Sequence, residues 1–351
     1  MKILHTADLH LLTFGDERWR ALEAIVQACK AEGVSLLAIC GDLFDTDAAA
    51  EDLRTNIREL FSGNEFHTVI IPGNHDRASY KPGFYFGEQV TFFNHEDYRE
   101  NIYDFDNTRI VGIPFEDIEA TELLRKVRNL APLLTEDRTN IILYHGELLD
   151  AFYSRSDFGP EGERRYMPAQ LSYFEELQVD YVLAGHFHTK FDPWSIGPNG
   201  YFVYPGSPVS ITRREVGQRK VNLFEVGEPP AEYALDTEHF EKVEMMLNPL
   251  VDVEPLDVVR KELSEVHPMA TILLTIGGYV AQAEDELVSH VEALLEGRPV
   301  EPSYDFRDIR HILSHPLFEV FEGKLAEGEH DEERASRLRD TVIKAMIEAR
   351  L

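Results

Sequence analysis

A chain of 351 residues with 43% hydrophobic and 28% charged side chains carries enough apolar material for a substantial core and most naturally holds two domains. Its formal net charge of −30 disfavours a broad, nonspecific grip on nucleic acid, so any such contact has to be local. Two cysteines without metal-ligand spacing exclude a disulfide framework and a structural zinc site, and the longest apolar stretch, near Thr271 to Ala281, is too short to span a bilayer.

Ile3 to Ala7 reads as a short buried strand and runs into Asp8-Leu9-His10. Reaching Asp8 and His10 within ten residues leaves no room for a secretory leader, so a cytoplasmic protein is expected. The amphipathic stretch Trp19 to Glu32 predicts a helix, and Leu36 to Cys40 a second buried strand ending at Gly41-Asp42. A further helix is expected over Glu51 to Phe61, before the apolar run Val69 to Pro72 and the cluster Gly73-Asn74-His75-Asp76. Ile141 to Tyr144 leads to His145-Gly146, and Tyr181 to Ala184 leads to Gly185-His186-Phe187-His188. This βαβα alternation predicts an α/β fold with a largely parallel, helix-covered sheet. From about Tyr181 the strands come closer together, and Tyr201 to Tyr204 and Lys220 to Val226 predict antiparallel additions and a second sheet.

The turn-rich Gly227-Glu228-Pro229-Pro230 closes the first domain, residues 1–230. Beyond it the pattern is helix (Pro255 to Val266), strand (Thr271 to Ile276), helix (Glu284 to Leu295) and strand (Ser303 to Ile309), a smaller α/β domain over 250–310. Residues 311–351 form a C-terminal helical segment, in which Leu338, Val342, Ala345, Met346 and Ala349 line one stripe of a helix over 329–351. That stripe packs on its own domain or docks a partner. Residues 231–351 hold 27 acidic and 12 basic side chains, so half of the net charge falls in the last third and makes it the poorer phosphate-binding surface.

Five polar clusters at five strand ends can converge although they span residues 8 to 188, because open α/β sheets bind ligands beyond the carboxyl ends of their strands. Asp, Asn and His without thiolate suit hard or borderline divalent ions such as Mn²⁺, Mg²⁺ or Fe²⁺. Two ions about 3.5 to 4 Å apart need a bridging carboxylate. Asp42, after Gly41, is the natural bridge; Asp8, His10 and His188 complete one ion, and Asn74, His145 and His186 the other. His75 is left over, as a general acid or a donor to phosphoryl oxygens, with Asp76 placed to hold its tautomer.

The series Asp8-x-His10, Gly41-Asp42-x-x-Asp45, Gly73-Asn74-His75-Asp76, His145 and Gly185-His186-x-His188 resembles the calcineurin-like metallophosphoesterase superfamily. Within it, Leu4-His5-Thr6-Ala7-Asp8-Leu9-His10 and Gly41-Asp42-Leu43-Phe44-Asp45 are similar to the SbcD-type DNA repair nucleases, and Gly206-Ser207-Pro208 resembles the family's Gly-Ser element. The resemblance covers residues 1 to about 225. It implies a two-sheet sandwich flanked by helices, a small capping domain, two Mn²⁺ ions and phosphodiester cleavage by a metal-activated water. Some relatives carry a second histidine where this chain has Asp45, which implies a different set of groups behind the ligands.

The expectation is therefore a manganese-dependent DNA nuclease acting in DNA repair, an exonuclease with endonuclease capacity left open, with DNA, an SbcC-like coiled-coil ATPase and a second copy of the chain as partners, and no membrane. The alternative is a phosphodiesterase or phosphomonoesterase for a small metabolite, which the acidic balance favours. Arg213, Arg214, Arg219 and Lys220 read either as a solvated hairpin or as contacts to a phosphate backbone. The aromatic run Tyr80, Phe84, Tyr85, Phe86, Phe92 and Phe93 reads as local core or as a platform for an unpaired base.

Overall fold

Strand β1 (Lys2–Thr6) buries its last four residues. Helix α1 (Glu17–Glu32) starts where the Asp16 carboxylate accepts the Trp19 N–H at 2.8 Å, and stops where Gly33 turns left-handed at φ 63°. β2 (Leu36–Cys40) is buried throughout. α2 (Asp47–Phe61) is capped by Thr46, and β3 (His67–Ile71) and β4 (Val90–Phe92) follow. These four strands run parallel, as the alternation of apolar runs and amphipathic helices requires. The computed structural model describes residues 1–81, 83–151, 165–251 and 254–350.

A second sheet begins at the hairpin of β5 (Ile102–Phe105) and β6 (Thr108–Ile113), which turns through Asp106 at φ 49°. After α3 (Ala120–Arg128) come β7 (Thr139–His145), the short α4 (Ser172–Glu175), β8 (Tyr181–Gly185), β9 (Asp192–Ile196) and β10 (Gly200–Tyr204). Its order is β5-β6-β7-β8-β10-β9. β11 (Lys220–Glu225) and β12 (Glu232–Ala234) return to the first sheet, whose order is β12-β11-β1-β2-β3-β4. The second sheet thus starts well before Tyr181, and β10, expected as an antiparallel addition, lies parallel to β8 because β9 folds back along its outer edge. β11 does run antiparallel, against β1.

Three apolar layers result. Ile3, Ala38, Val69 and Ile71 of the first sheet meet Ile110, Ile141, Leu183 and Val203 of the second, a core between sheets in which alternate residues of each strand point inward. The opposite residues, Leu4, Leu37, Ile39 and Ile70, pack on Leu22, Ile25, Leu53 and Ile57 of α1 and α2. Val111, Ile142, Tyr144 and Val182 pack on Leu123, Val127 and Phe174 of α3 and α4. Helix, sheet, sheet and helix form a sandwich in the order expected. The aromatic run after Asn74 is largely core: Phe86 and Phe93 are fully buried and Phe84, Phe86 and Phe92 pack with Tyr80, while Tyr85 is half exposed.

The chain divides into two compact units, 1–240 and 241–351, so the first extends to 240 rather than 230. The second holds most of β13 (His239–Leu247), then α5 (Pro255–Glu265), β14 (Ala270–Val280), α6 (Glu284–Leu295) and β15 (Val300–Asp308), with the sheet order β13-β14-β15. α7 (Arg310–Leu313), α8 (Pro316–Glu327) and α9 (Glu332–Glu348) belong to this unit as well, so residues 311–351 are not a separate segment. Ile309, Ile312, Phe318, Ile343 and Met346 share one apolar cluster. The buried seam of α9 is therefore rotated from the predicted stripe: Ile343 and Ile347 take part, and Ala345 and Ala349 are exposed. Among the described residues no helix is long and apolar enough to cross a membrane.

Candidate metal centre

The five polar clusters meet at the carboxyl ends of β1, β2, β3, β7 and β8. Backbone bonds tie the first two loops together: the Asp8 N–H donates to the Gly41 carbonyl at 3.1 Å and the His10 N–H to the Asp42 carbonyl at 2.9 Å. Close approach to the second sheet depends on Gly41, at φ 92°, where a Cβ would stand 2.0 Å from the His145 ring. Asp8, His10, Asp42 and His186 all have positive φ, at 56°, 48°, 50° and 104°. They are four of the seven non-glycine residues among those described that adopt this conformation, each costing on the order of 1–3 kcal/mol, so backbone strain is concentrated where side chains converge.

Among the described residues, donor atoms of Asp8, His10 and His188 lie within 4.8 Å of one another, and so do those of Asp8, Asp42 and His145 and those of His10, Asp45 and His75. Asp42 Oδ2 stands 3.7 Å from His10 Nε2 and 3.4 Å from His145 Nε2, between the two sets of imidazoles. Asn74 Oδ1 is 3.0 Å from His145 Nε2. His186 is in none of these three groups; its ring lies 5.5 Å from the His145 ring, and its backbone N–H donates to both Asp8 carboxylate oxygens at 3.1 and 3.0 Å. Asp8, assigned from sequence to one ion, thus faces both donor sets.

The imidazoles are aimed by what holds their far side. His145 Nδ1 donates to the Cys40 carbonyl at 2.8 Å, and His10 Nδ1 to Asp45 Oδ1 at 3.2 Å. His188 Nδ1 faces Glu215 Oε1 at 3.6 Å. Every Nε2 then points into the centre, where those of His10 and His188 are 3.4 Å apart. Imidazole nitrogens, two buried carboxylates and an amide oxygen converge on one spot, and carboxylate, amide and imidazole without thiolate is the donor chemistry of Mn²⁺, Mg²⁺ or Fe²⁺. The residues present fit a pair of divalent ions.

Electrostatics agree. Burial pushes the Asp8 carboxyl up, against the pull of His188 and His145. Burial would raise Asp42 too, but the His145 imidazole, with His10 and His75, holds it far below the carboxylate range. Burial would lower both histidines; instead Asp42 and Asp8 raise His145 to about 10, and Asp8 with Glu215 raises His188 to about 9. The pocket concentrates negative charge enough to hold protons on imidazoles in competition with an ion.

His75 is exposed at the rim, its ring centroid 4.6 Å from that of His10, and its backbone N–H donates to Asp42 Oδ1 at 2.9 Å. Asp76, expected to hold the His75 tautomer, does not touch it. Its buried carboxylate accepts from the Gly73 N–H at 2.7 Å, the Phe44 N–H at 3.2 Å and the Tyr80 hydroxyl at 2.8 Å, bracing the Asp42 and Asn74 loops. Consecutive side chains diverge, so sequence adjacency did not bring Asp76 to the ring. His75 Nδ1 lies instead 3.4 Å from the Asp45 carbonyl.

Arg213 and Arg214 are exposed, and Lys220 pairs with Glu232. Arg219, read with them as a surface cation, is buried and donates to the carbonyls of His188 at 2.6 Å, Ser207 at 3.0 Å and Thr189 at 3.2 Å. Asp45 stands behind a ligand, as its place in the motif implies, whereas Glu215 is a support that the sequence does not announce. Asp45 had a signal, its spacing in Gly41-Asp42-x-x-Asp45; Glu215 had none, lying in a charged stretch that reads as surface.

Solved structures similar to this chain include a protein of Thermus thermophilus, 15% identical, with 63% of this chain and 93% of that one covered and a TM-score of 0.40. A dimetal phosphatase from Danio rerio is 12% identical over 67% of this chain and 96% of that one, with a TM-score of 0.43. The anchor protein of the inner membrane complex of Plasmodium is 12% identical over 68% and 89%, at 0.41. The family described as calcineurin-like phosphoesterase matches residues 1–190, more than half of the chain and the whole of the stretch that carries the converging side chains. The chain belongs to the calcineurin-like phosphoesterase family of metal-dependent phosphoester hydrolases.

Proposed function

We propose that the protein is a two-metal phosphodiesterase whose substrate is DNA, a nuclease of the SbcD type. The observation that carries the hydrolytic part is the Asp42 carboxylate standing between His10 and His145, with Asp8 facing both donor sets. Asp8, His10 and His188 would hold one ion, and His145 and Asn74 the other with His186 alongside, with Asp42 shared between the two sets. Two bound divalent ions supply charge neutralisation for the phosphoryl oxygens and a nucleophile from water at neutral pH. Mn²⁺ is the favoured ion, with Mg²⁺ or Fe²⁺ as substitutes.

The chain's own residues supply orientation. Cys40, Asp45 and Glu215 fix the imidazoles from behind, and Asp76 holds the two loops at the distance the bridge requires. His75, on the solvent side of His10, is placed to donate a proton to a leaving oxygen or a hydrogen bond to the phosphoryl group. DNA is favoured by the SbcD-like segments Leu4 to His10 and Gly41 to Asp45, and by the second α/β unit. An SbcC-like ATPase and a second copy of the chain are the expected partners.

The test compares a small aryl phosphodiester with single- and double-stranded DNA in one manganese buffer, before and after chelation. DNA cleavage that exceeds small-diester turnover and disappears on chelation supports the reading. Turnover confined to the small ester replaces DNA by a metabolite, the second reading that the acidic surface favours.

A further inference from the structure

We propose that Glu215 is a positioning residue that acts through His188, holding the imidazole so that Nε2 faces Asp8. The inference rests on the metal-centre reading above and adds a residue to it.

Glu215 is only 3% exposed, in a chain whose 64 acidic side chains are otherwise mostly at the surface. Burying a carboxylate is costly unless its oxygens are satisfied, and here they have separate partners. Oε2 accepts the Ile211 N–H at 2.7 Å and the Ser207 hydroxyl at 2.9 Å. Oε1 accepts the Thr212 hydroxyl at 3.0 Å and faces His188 Nδ1 at 3.6 Å. The opposite edge of the His188 ring is 3.6 Å from Asp8 Oδ1 and 3.4 Å from His10 Nε2.

The same segment also fixes the His188 backbone. The Arg219 guanidinium donates to the His188 carbonyl, and the Ser207 N–H to that carbonyl at 3.0 Å. Ring and main chain are therefore both held by residues 207–219, which the sequence places after the last cluster. A carboxylate behind a ligating histidine fixes its tautomer and raises its basicity, and Asp45 stands in that position for His10. The bland alternative is that Glu215 only caps the turn at Ile211.

Glu215→Gln separates the two roles. The Ile211 N–H can only donate, so the amide oxygen must take the Oε2 position, and the NH₂ group then faces His188 Nδ1. In the neutral ring that a ligand must be, Nδ1 becomes the acceptor and the one remaining proton sits on the edge that faces Asp8. The turn keeps its bonds while the histidine presents the wrong nitrogen.

The experiment titrates chelator-stripped full-length protein with manganese chloride by calorimetry. Glu215→Gln is expected to weaken one of two manganese ions by about 10–100-fold, leave the other unchanged and keep the melting temperature of the stripped protein. On a His188→Ala background the same change should weaken manganese no further, because the residue acts through the ring. Wild-type affinities in Glu215→Gln, a joint fall of both affinities with the melting temperature, or an added loss in the double variant would each overturn the proposal. Wild-type protein that takes up fewer than two manganese ions overturns the two-metal reading and this inference with it. Two ions bound with the same two affinities in wild type and in Glu215→Gln overturn the inference alone.

Discussion

The Cys40 carbonyl, at the last residue of β2, accepts the Nδ1–H of His145, at the last residue of β7, at 2.8 Å. A main-chain group of one sheet thereby orients a ring carried by the other, and turns Nε2 toward Asp42.

Metal uptake should release protons. His145 and His188 are raised to about 10 and 9 in the ion-free site, so both imidazoles are protonated at pH 7, whereas a ligating imidazole is neutral. Manganese binding at pH 7 is expected to expel about two protons, and the number should fall as pH rises through 9 and then 10. Calorimetry in two buffers of different ionisation enthalpy measures it; binding with no proton release would contradict the proposed ligand set.

Gly41→Ala should damage the centre without touching a ligand. The new methyl group would sit 2.0 Å from the His145 ring at a φ of 92°. Strain of about 1–3 kcal/mol for the backbone and a similar amount for overpacking predict a lower melting temperature and weaker manganese binding. A variant as stable as wild type, with both ions bound, would show that the two sheets are not locked at this distance.

His75 and Asp76, adjacent in sequence, should fail in different ways. His75→Ala is expected to keep fold and both ions while turnover falls by about 10²- to 10⁴-fold. Asp76→Ala leaves the Gly73 and Phe44 N–H groups and the Tyr80 hydroxyl without their acceptor, and should cost about 3 kcal/mol or more in urea unfolding. Loss of metal in His75→Ala would make it a ligand rather than a proton donor.

Arg213 and Arg214, both exposed, are tested together as DNA contacts. Replacing both by Ala should make the salt dependence of DNA binding shallower by about two units of slope and leave small-diester hydrolysis unchanged. An unchanged slope assigns them to a solvated hairpin.

Strand ends were legible because each apolar run stops at a polar cluster: Leu36–Cys40 was read residue for residue, and Glu284–Leu295 likewise as a helix. What escaped depends on pairing between distant segments. Nothing local in Asp192–Ile196 says that β10 will lie between it and β8, and nothing in the run around Arg219 says that its guanidinium will be buried under the His188 loop. Glu215 is 27 positions from His188, and only the return of β11 to the first sheet brings its segment back. Asp76 departs from expectation for the opposite reason: it is adjacent to His75 in sequence, but its carboxylate turns to the Gly73 and Phe44 N–H groups and the Tyr80 hydroxyl.

The donors come from strands of both sheets, and Asp8 and His186 are 178 positions apart. An ion held by Asp8, His10 and His188, as proposed, would be a cross-link between the halves of the sandwich, closing a loop that spans most of the first unit, as a disulfide would in a smaller protein. Saturating such a site at a hundred times its dissociation constant adds about 2.7 kcal/mol to the folded state. Chelation should then loosen the seam between the ends of β1 and β8 first, where amide hydrogen exchange will register it before either sheet unfolds.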